Sequence, residues 1–150
     1  MIAVDTNILV YAHRQDSPWH QRAAETIITL AEGPNPWAIP WPCVHEFFSI
    51  TTHPRIYAPP TPADRAIADL QTWFESPTLR LIGETDQYWA ILRQILKKSA
   101  AAGPIVHDAR IAAICRAHGI TTLLSADRDF SRFDIAVHNP LIGKSKLPRH

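Results

Sequence analysis

Five acids in this 150-residue chain lie against apolar segments rather than in polar stretches. Asp5 stands between Ile2-Ala3-Val4 and Ile8-Leu9-Val10, and Glu46 stands between Val44 and Phe47. Asp108 precedes Ile111-Ala112-Ala113-Ile114, while Asp127 and Asp129 follow Thr122-Leu123-Leu124. A carboxylate buried among such neighbours is costly unless it is paired, protonated or bound to a metal. Carboxylates gathered together repel, and their pKa values rise unless a cation sits among them. With no dedicated Lys or Arg nearby, the matching counter-charge is a hard divalent ion, Mg²⁺ or Mn²⁺, that keeps several of its waters. Such an ion activates water and stabilises charge on a phosphoryl oxygen, the needs of phosphodiester hydrolysis. Spacing alone does not bring these acids together, and each has a plainer use. Asp108 in a helix first turn complements the macrodipole, Asp127 and Asp129 suit a turn, and Glu46 suits a narrow polar strip on its helix. Asp5 has no such simple alternative.

The elements that must position these acids follow from pattern. Residues 1–4 form a short apolar strand ending at Asp5, and 7–13 a helical turn or two. Ser17-Pro18 reads as a helix start, with Ala23, Ala24, Ile27, Ile28 and Leu30 on helical spacing before Gly33-Pro34. Trp37-Ala38-Ile39-Pro40 is a strand, and Pro42 opens a helix through Phe47 to His53-Pro54. Thr61-Pro62-Ala63-Asp64 repeats the start signal with an acid three residues after the cap. That helix runs to Ser76-Pro77, and Leu79–Ile82 forms the next strand. Thr85 caps a helix carrying Trp89, Leu92, Ile95 and Leu96 on one face. Another helix begins near His107-Asp108 and ends at Gly119. Thr122–Leu124 and Ile135–Val137 complete the strands. Short strands alternating with longer helices predict an α/β fold with a mainly parallel sheet flanked by helices. In such sheets ligands gather beyond the carboxyl ends of the strands, the edge where these acids fall.

Composition narrows the class. Apolar residues make up 46% and charged residues 19%, which excludes intrinsic disorder. Fifteen Lys+Arg against fourteen Asp+Glu leave a formal +1, so contact with nucleic acid must come from a local patch. Thirteen prolines against five glycines mark helix starts and stops. Cys43 and Cys115 stand alone and read as buried reduced thiols. No N-terminal basic segment suggests a signal peptide, and no apolar run reaches the length of a membrane span, so a cytoplasmic protein without membrane contact is expected.

The segment Val4-Asp5-Thr6-Asn7-Ile8-Leu9-Val10-Tyr11-Ala12 resembles the first motif of PIN-domain nucleases, specifically the VapC-type toxins of toxin–antitoxin pairs. Three further blocks follow in the family's order. They are Trp41-Pro42-Cys43-Val44-His45-Glu46-Phe47, Val106-His107-Asp108-Ala109-Arg110-Ile111-Ala112-Ala113 and Leu124-Ser125-Ala126-Asp127-Arg128-Asp129-Phe130. Val137-His138-Asn139-Pro140-Leu141 fits the close of the domain. The resemblance covers residues 1–142, leaving 143–150 as a basic tail. It implies a PIN-like fold and a Mg²⁺- or Mn²⁺-dependent endoribonuclease that inhibits translation. Carried over by motif, Asp5 and Asp108 are the main metal ligands, Glu46 holds or activates a water, and Asp127 completes the acidic pocket and the ligand set. Asn7 and Ser125 support the site by hydrogen bonds. Asp129 is a substitute or supporting partner, since either acid of Asp-Arg-Asp-Phe fits. One departure is Gly103-Pro104, where many relatives carry Gly-Asn, so an amide is missing there.

RNA approaching an acidic pocket needs basic groups at its rim, and phosphate contacts make binding fall with salt. Candidates are Arg14, Arg110 and Arg128, followed by His13, Arg22, Arg132 and the tail residues Lys144, Lys146 and Arg149. The resemblance further implies a tRNA or rRNA substrate, a cognate antitoxin whose helix enters an apolar groove, and a homodimer. Trp37/Trp41 and Trp73/Phe74/Trp89 are read chiefly as packing, with base stacking as the other use. Two alternatives differ in class. One is a degenerate PIN module that binds RNA or a protein without cutting. The other is phosphotransfer through Asp5 as nucleophile, which requires a nearby Lys, and no Lys occurs before Lys97.

Overall fold

A computed structural model describes residues 1–143 and 147–148. The chain runs β1 (Ile2–Val4), α1 (Thr6–His13), α2 (His20–Glu32), β2 (Trp37–Pro40), α3 (Trp41–Thr51) and α4 (Ala63–Phe74). It continues through β3 (Leu79–Ile82), α5 (Tyr88–Ser99), α6 (Val106–Ala117), β4 (Thr122–Leu124) and β5 (Ala136–His138). Short 3₁₀ turns at Gly103–Ile105 and Arg128–Phe133 precede α6 and β5. The five strands pair in the order β3-β2-β1-β4-β5, and every pair is parallel. The expectation of a mainly parallel sheet is therefore met by an entirely parallel one among the described residues.

Parallel strands need helical crossovers, and crossovers cover both faces of the sheet. Contacts link α1 with α2 and α3, and α3 with α4, while α5 packs on α6. The central strand β1 is consequently buried at every residue, as is β2. This is why both read as continuous apolar runs rather than as alternation. Helix α6 is buried almost all round, with Ala109 and Ile111 through Cys115 inside. Phe47 of α3 lies at the centre of the α1–α4 layer, edge-on to His13 and to Trp73 with ring centroids 5.3 Å away in each case.

Several helix starts fall later than their sequence signals. Ser17 accepts a hydrogen bond from the Trp19 N–H at 3.1 Å, but α2 begins at His20. Thr85 likewise accepts from the Gln87 N–H at 3.2 Å, with α5 beginning at Tyr88. In both places the hydroxyl closes a turn that leads into the helix. The Thr61 hydroxyl, expected as a cap of α4, turns instead to His13 Nε2 at 2.8 Å and receives Arg14 Nη1 at 3.3 Å. Trp89 does not share the buried face of α5: it is 62% exposed, while Ile95 is buried and Leu92 and Leu96 are half-buried. Trp37 is fully buried, Trp73 is half-buried against the core, and Trp41 stands half out of the surface against Phe74. No helix among the described residues is long and apolar enough to cross a membrane.

Candidate active site

The strand order reverses direction at β1: the chain builds outward through β2 and β3, then returns to lay β4 on the other side of β1. Crossovers leave β1 and β4 toward opposite faces, and the space beyond their carboxyl ends is where open sheets of this kind form a ligand crevice. Asp5 follows β1 at that point, and Ser125-Ala126-Asp127 follows β4. The N-terminus of α6 carries Asp108, and Glu46 lies in the second turn of α3.

Asp5 is 4% exposed and caps α1, accepting from the Thr6 N–H at 2.8 Å through Oδ1. Its Oδ2 accepts from the Ser125 hydroxyl at 2.7 Å and from Asn7 Nδ2 at 3.3 Å. The Cys43 thiol reaches Oδ1 at 3.8 Å. Asn7 ties the two strand ends together, since its Oδ1 accepts from the Ala126 N–H at 3.1 Å and its Nδ2 donates to Ser125 Oγ at 3.2 Å. Ser125 Oγ also accepts from the Asp127 N–H at 3.0 Å. Glu46 joins from α3, accepting from the Thr6 hydroxyl at 2.9 Å. Thus Asp5, Asn7, Ser125 and Glu46 belong to one hydrogen-bonded frame. Thr6, to which sequence reasoning assigned no role, is its link to Glu46; its position directly after Asp5 in the first motif was the available signal.

Electrostatics extends the frame to the remaining acids. Burial pushes the Asp5 carboxyl up from 3.8 to about 6, the Ser125 and Thr6 hydrogen bonds pull it down, and Glu46 and Asp108 push it up again. Asp108 also rises from 3.8 to about 6, first through burial and then through Asp127, Glu46 and Asp129, with His107 opposing. Asp127 weighs more on Asp108 than Asp129 does. One oxygen of Asp127 nonetheless serves the local turn, accepting from the Asp129 N–H at 2.9 Å. Burial holds the Cys43 thiol well above its ordinary range, with Asp5 adding to the effect, and raises Cys115 to about 12. Both cysteines are buried and unbridged.

Among the described residues, no three acid, His or Cys side chains close around a point tightly enough to form a complete metal cage. The donors are nonetheless hard carboxylate oxygens, and neighbouring acids add to the upward push on Asp5 and Asp108. That set suits a divalent ion held by one or two carboxylates and otherwise by water.

The expected basic rim is largely occupied elsewhere. Arg14 is buried at the far end of α1, where it donates to both Asp16 oxygens at 2.9 and 2.6 Å and to the Pro59 carbonyl at 2.9 Å. Its guanidinium also lies over the Tyr57 ring at 4.2 Å. Arg14 thus anchors a loop. Arg22 grips the Leu141 and Gly143 carbonyls, and Arg132 donates to the Ser99 carbonyl. Arg110 pairs with Glu84 at 2.6 Å while remaining exposed. His13 is held between Asp69 and Thr61. Arg128 is exposed and makes no ion pair among the described residues. Lys144, Lys146 and Arg149 lie outside the described residues.

The family model of the PIN domain matches residues 2–136. Ribonuclease VapC48 of Mycobacterium tuberculosis is 30% identical over 140 residues, covering 93% of this chain and 97% of that protein. Among solved structures, FitAB bound to an IR36 DNA fragment superposes with a TM-score of 0.70 at 21% identity, covering 100% of this chain and 99% of that one. VapBC2 from Rickettsia felis bound to a promoter DNA fragment gives a TM-score of 0.65 at 21% identity, over 93% and 98% of the two chains.

Proposed function

The chain belongs to the PIN-domain family and its VapC ribonucleases, and from that premise we propose that it is a divalent-metal-dependent endoribonuclease acting as the toxin of a toxin–antitoxin pair. The observation that carries the reading is the hydrogen-bonded frame at the carboxyl ends of β1 and β4, which ties Asp5, Asn7, Ser125 and, through Thr6, Glu46 together, with burial and neighbouring acids pushing Asp5 and Asp108 up to about 6. Asp5 and Asp108 would hold Mg²⁺ or Mn²⁺, with Asp127 completing the ligand set. When bound, such an ion lowers the pKa of the attacking water and neutralises charge developing on the phosphoryl oxygen.

The remaining steps are the work of this chain's own side chains. Thr6 presents Glu46 toward the crevice by donating to Oε2, leaving Oε1 to orient the water and take its proton. Ser125 and Asn7 lock the Asp5 rotamer, so its oxygens need no reorganisation during the reaction. Asp129 supports the turn that carries Asp127. Arg128, with Arg110 once Glu84 releases it, would contact RNA phosphates on either side of the cut. In this reading the substrate is a tRNA or rRNA, a cognate antitoxin restrains the enzyme, and the protein works as a cytoplasmic homodimer. VapBC2 from Rickettsia felis, in complex with DNA, is the precedent for the antitoxin.

The direct test is cleavage of total RNA with Mg²⁺ or Mn²⁺, with chelator, and with the Asp5→Asn variant. Discrete products that require metal and vanish in the variant are expected. Folded, metal-loaded protein that cuts neither total RNA nor individual tRNAs and rRNAs would leave a binding module as the better reading.

A further inference from the structure

Charge is divided unevenly along this chain, although its sum is close to zero. Residues 1–92 carry ten acids against five Lys and Arg, whereas residues 93–134 carry seven Lys and Arg against four acids. Three of those four, Asp108, Asp127 and Asp129, belong to the acidic site, which leaves only Asp134 among the cations. Helix α5, the end of α6 and the 3₁₀ turn before β5 therefore form a basic side, and α1–α4 an acidic one. A polyanion is drawn to the first and repelled by the second.

The exposed side of α5 adds an aromatic to that charge. Trp89, Arg93 and Lys97 follow one another at four-residue steps, which places them in one stripe along the helix. All three are exposed, Trp89 to 62%. Ile95, with Leu92 and Leu96 half-buried beside it, holds the helix to the body and leaves the indole out of the packing. Where the stripe ends, Lys97 and Lys98 share a cavity of about 530 Å³ with Gln94, Arg116 and Asp134. Lys98 reaches Asp134 at 2.8 Å, while Arg93, Lys97 and Arg116 make no ion pair among the described residues. An exposed pair of this kind holds weakly, so a phosphate can take the place of Asp134. The same end of α5 adjoins the site. Arg132 of the 3₁₀ turn donates to the Ser99 carbonyl at 3.2 Å, and that turn begins at Arg128, directly after Asp127. By helical rise, Trp89 to Lys97 spans about 12 Å and the turn about 10 Å, a track for a few nucleotides.

We propose that the outer side of α5 binds a single-stranded flank of the RNA, with Trp89 stacking on an unpaired base and Arg93, Lys97 and Arg116 holding phosphates. The proposal rests on the nuclease reading and deepens it: the acids cut, and this side holds the strand that leads away from Asp127. Cations that follow the backbone and an aromatic that takes a base face are the two components of sequence-tolerant single-strand binding. A duplex keeps its base faces stacked on one another, so the indole confers a preference for unpaired RNA.

The test measures binding of the full chain to a labelled oligouridylate and to a labelled duplex DNA of the same length, in chelator so that nothing is cut. Trp89→Ala should weaken oligouridylate binding about five- to a hundredfold and leave duplex binding nearly unchanged. Trp89→Phe, which keeps an aromatic face, should restore part of the loss. Arg93→Ala and Lys97→Ala together should lower the salt slope by about 1.4, at about 0.7 for each phosphate contact on a single strand. Arg55→Ala, exposed in the loop between α3 and α4, should change neither quantity. Folded variants at Trp89, Arg93 and Lys97 that keep the wild-type affinity and salt slope would overturn the proposal, as would wild type that binds no oligouridylate. Lost self-association in Trp89→Ala with RNA affinity intact would also overturn it, and would make this side a contact between copies. Wild type that binds through this side yet cuts no RNA when metal is restored would sink the nuclease reading alone.

Discussion

The raised Asp5 carboxyl makes a specific prediction about stability. Moving it from 3.8 to about 6 makes its ionised form about 3 kcal/mol less favourable in the folded chain than in the unfolded one. Between the two values the folded state binds more protons, so stability from this group falls as pH rises and recovers as pH falls. Lowering the pH from about 7.5 to about 4.5 in chelator should restore about 2 kcal/mol of that 3. Asp16, Glu84 and Asp134 act oppositely, since each is held below its ordinary value by Arg14, Arg110 and Lys98 respectively, with a backbone hydrogen bond the first cause at Glu84. The informative quantity is therefore wild type minus Asp5→Asn, measured by urea unfolding across this range. In the variant the amide oxygen keeps the Thr6 N–H, but the Ser125 hydroxyl must turn away from an NH₂ group, at a cost of about 1 kcal/mol that does not depend on pH. Asp5→Asn should be at least as stable as wild type near neutrality and lose ground by about 2 kcal/mol on acidification. Curves that run parallel, within about 0.5 kcal/mol, would refute the idea that Asp5 is charged at a cost in the folded protein.

Other consequences are open to measurement. Mg²⁺ or Mn²⁺ at a hundredfold excess over its Kd should stabilise wild type by about 2.7 kcal/mol in a thermal scan; an equal gain in Asp108→Asn would remove Asp108 from the ligands. Arg128→Ala should lower the salt slope of RNA binding by about one while leaving the melting temperature unchanged. Arg14→Ala should instead cost about 1–3 kcal/mol of stability in urea, because Asp16 and the Pro59 carbonyl lose their donor. Phe47→Ala, which empties the junction of α1, α3 and α4, should cost about 3–5 kcal/mol; a loss under about 1 kcal/mol would mean the layer collapses around the gap.

Much of the frame was legible because its signals are local. Apolar runs ending in an acid mark the strands and their carboxyl edge, and proline marks where helices begin. The helix starts at His20 and Tyr88 came later than Ser17-Pro18 and Thr85 suggest, since a hydroxyl that can cap a helix can equally close a turn before it. Trp89 escaped the face assigned to it because periodicity says which residues share a side, not whether another element covers that side.

The rim was the least legible part. An arginine's partners lie far along the chain, as Arg14 meets Pro59 and Thr61, and Arg22 meets Leu141 and Gly143. No local pattern distinguishes such a side chain from one left for RNA. By itself the sequence determined the α/β class, the strand ends that carry the acids and the family to which they belong, all properties of neighbouring residues. The tertiary structure alone decided that Thr6 joins Glu46 to Asp5 and that Asn7 and Ser125 tie the ends of β1 and β4 together. These depend on distances between segments up to 120 residues apart, as between Asp5 and Ser125. Only packing of the helices on both faces of the sheet sets those distances.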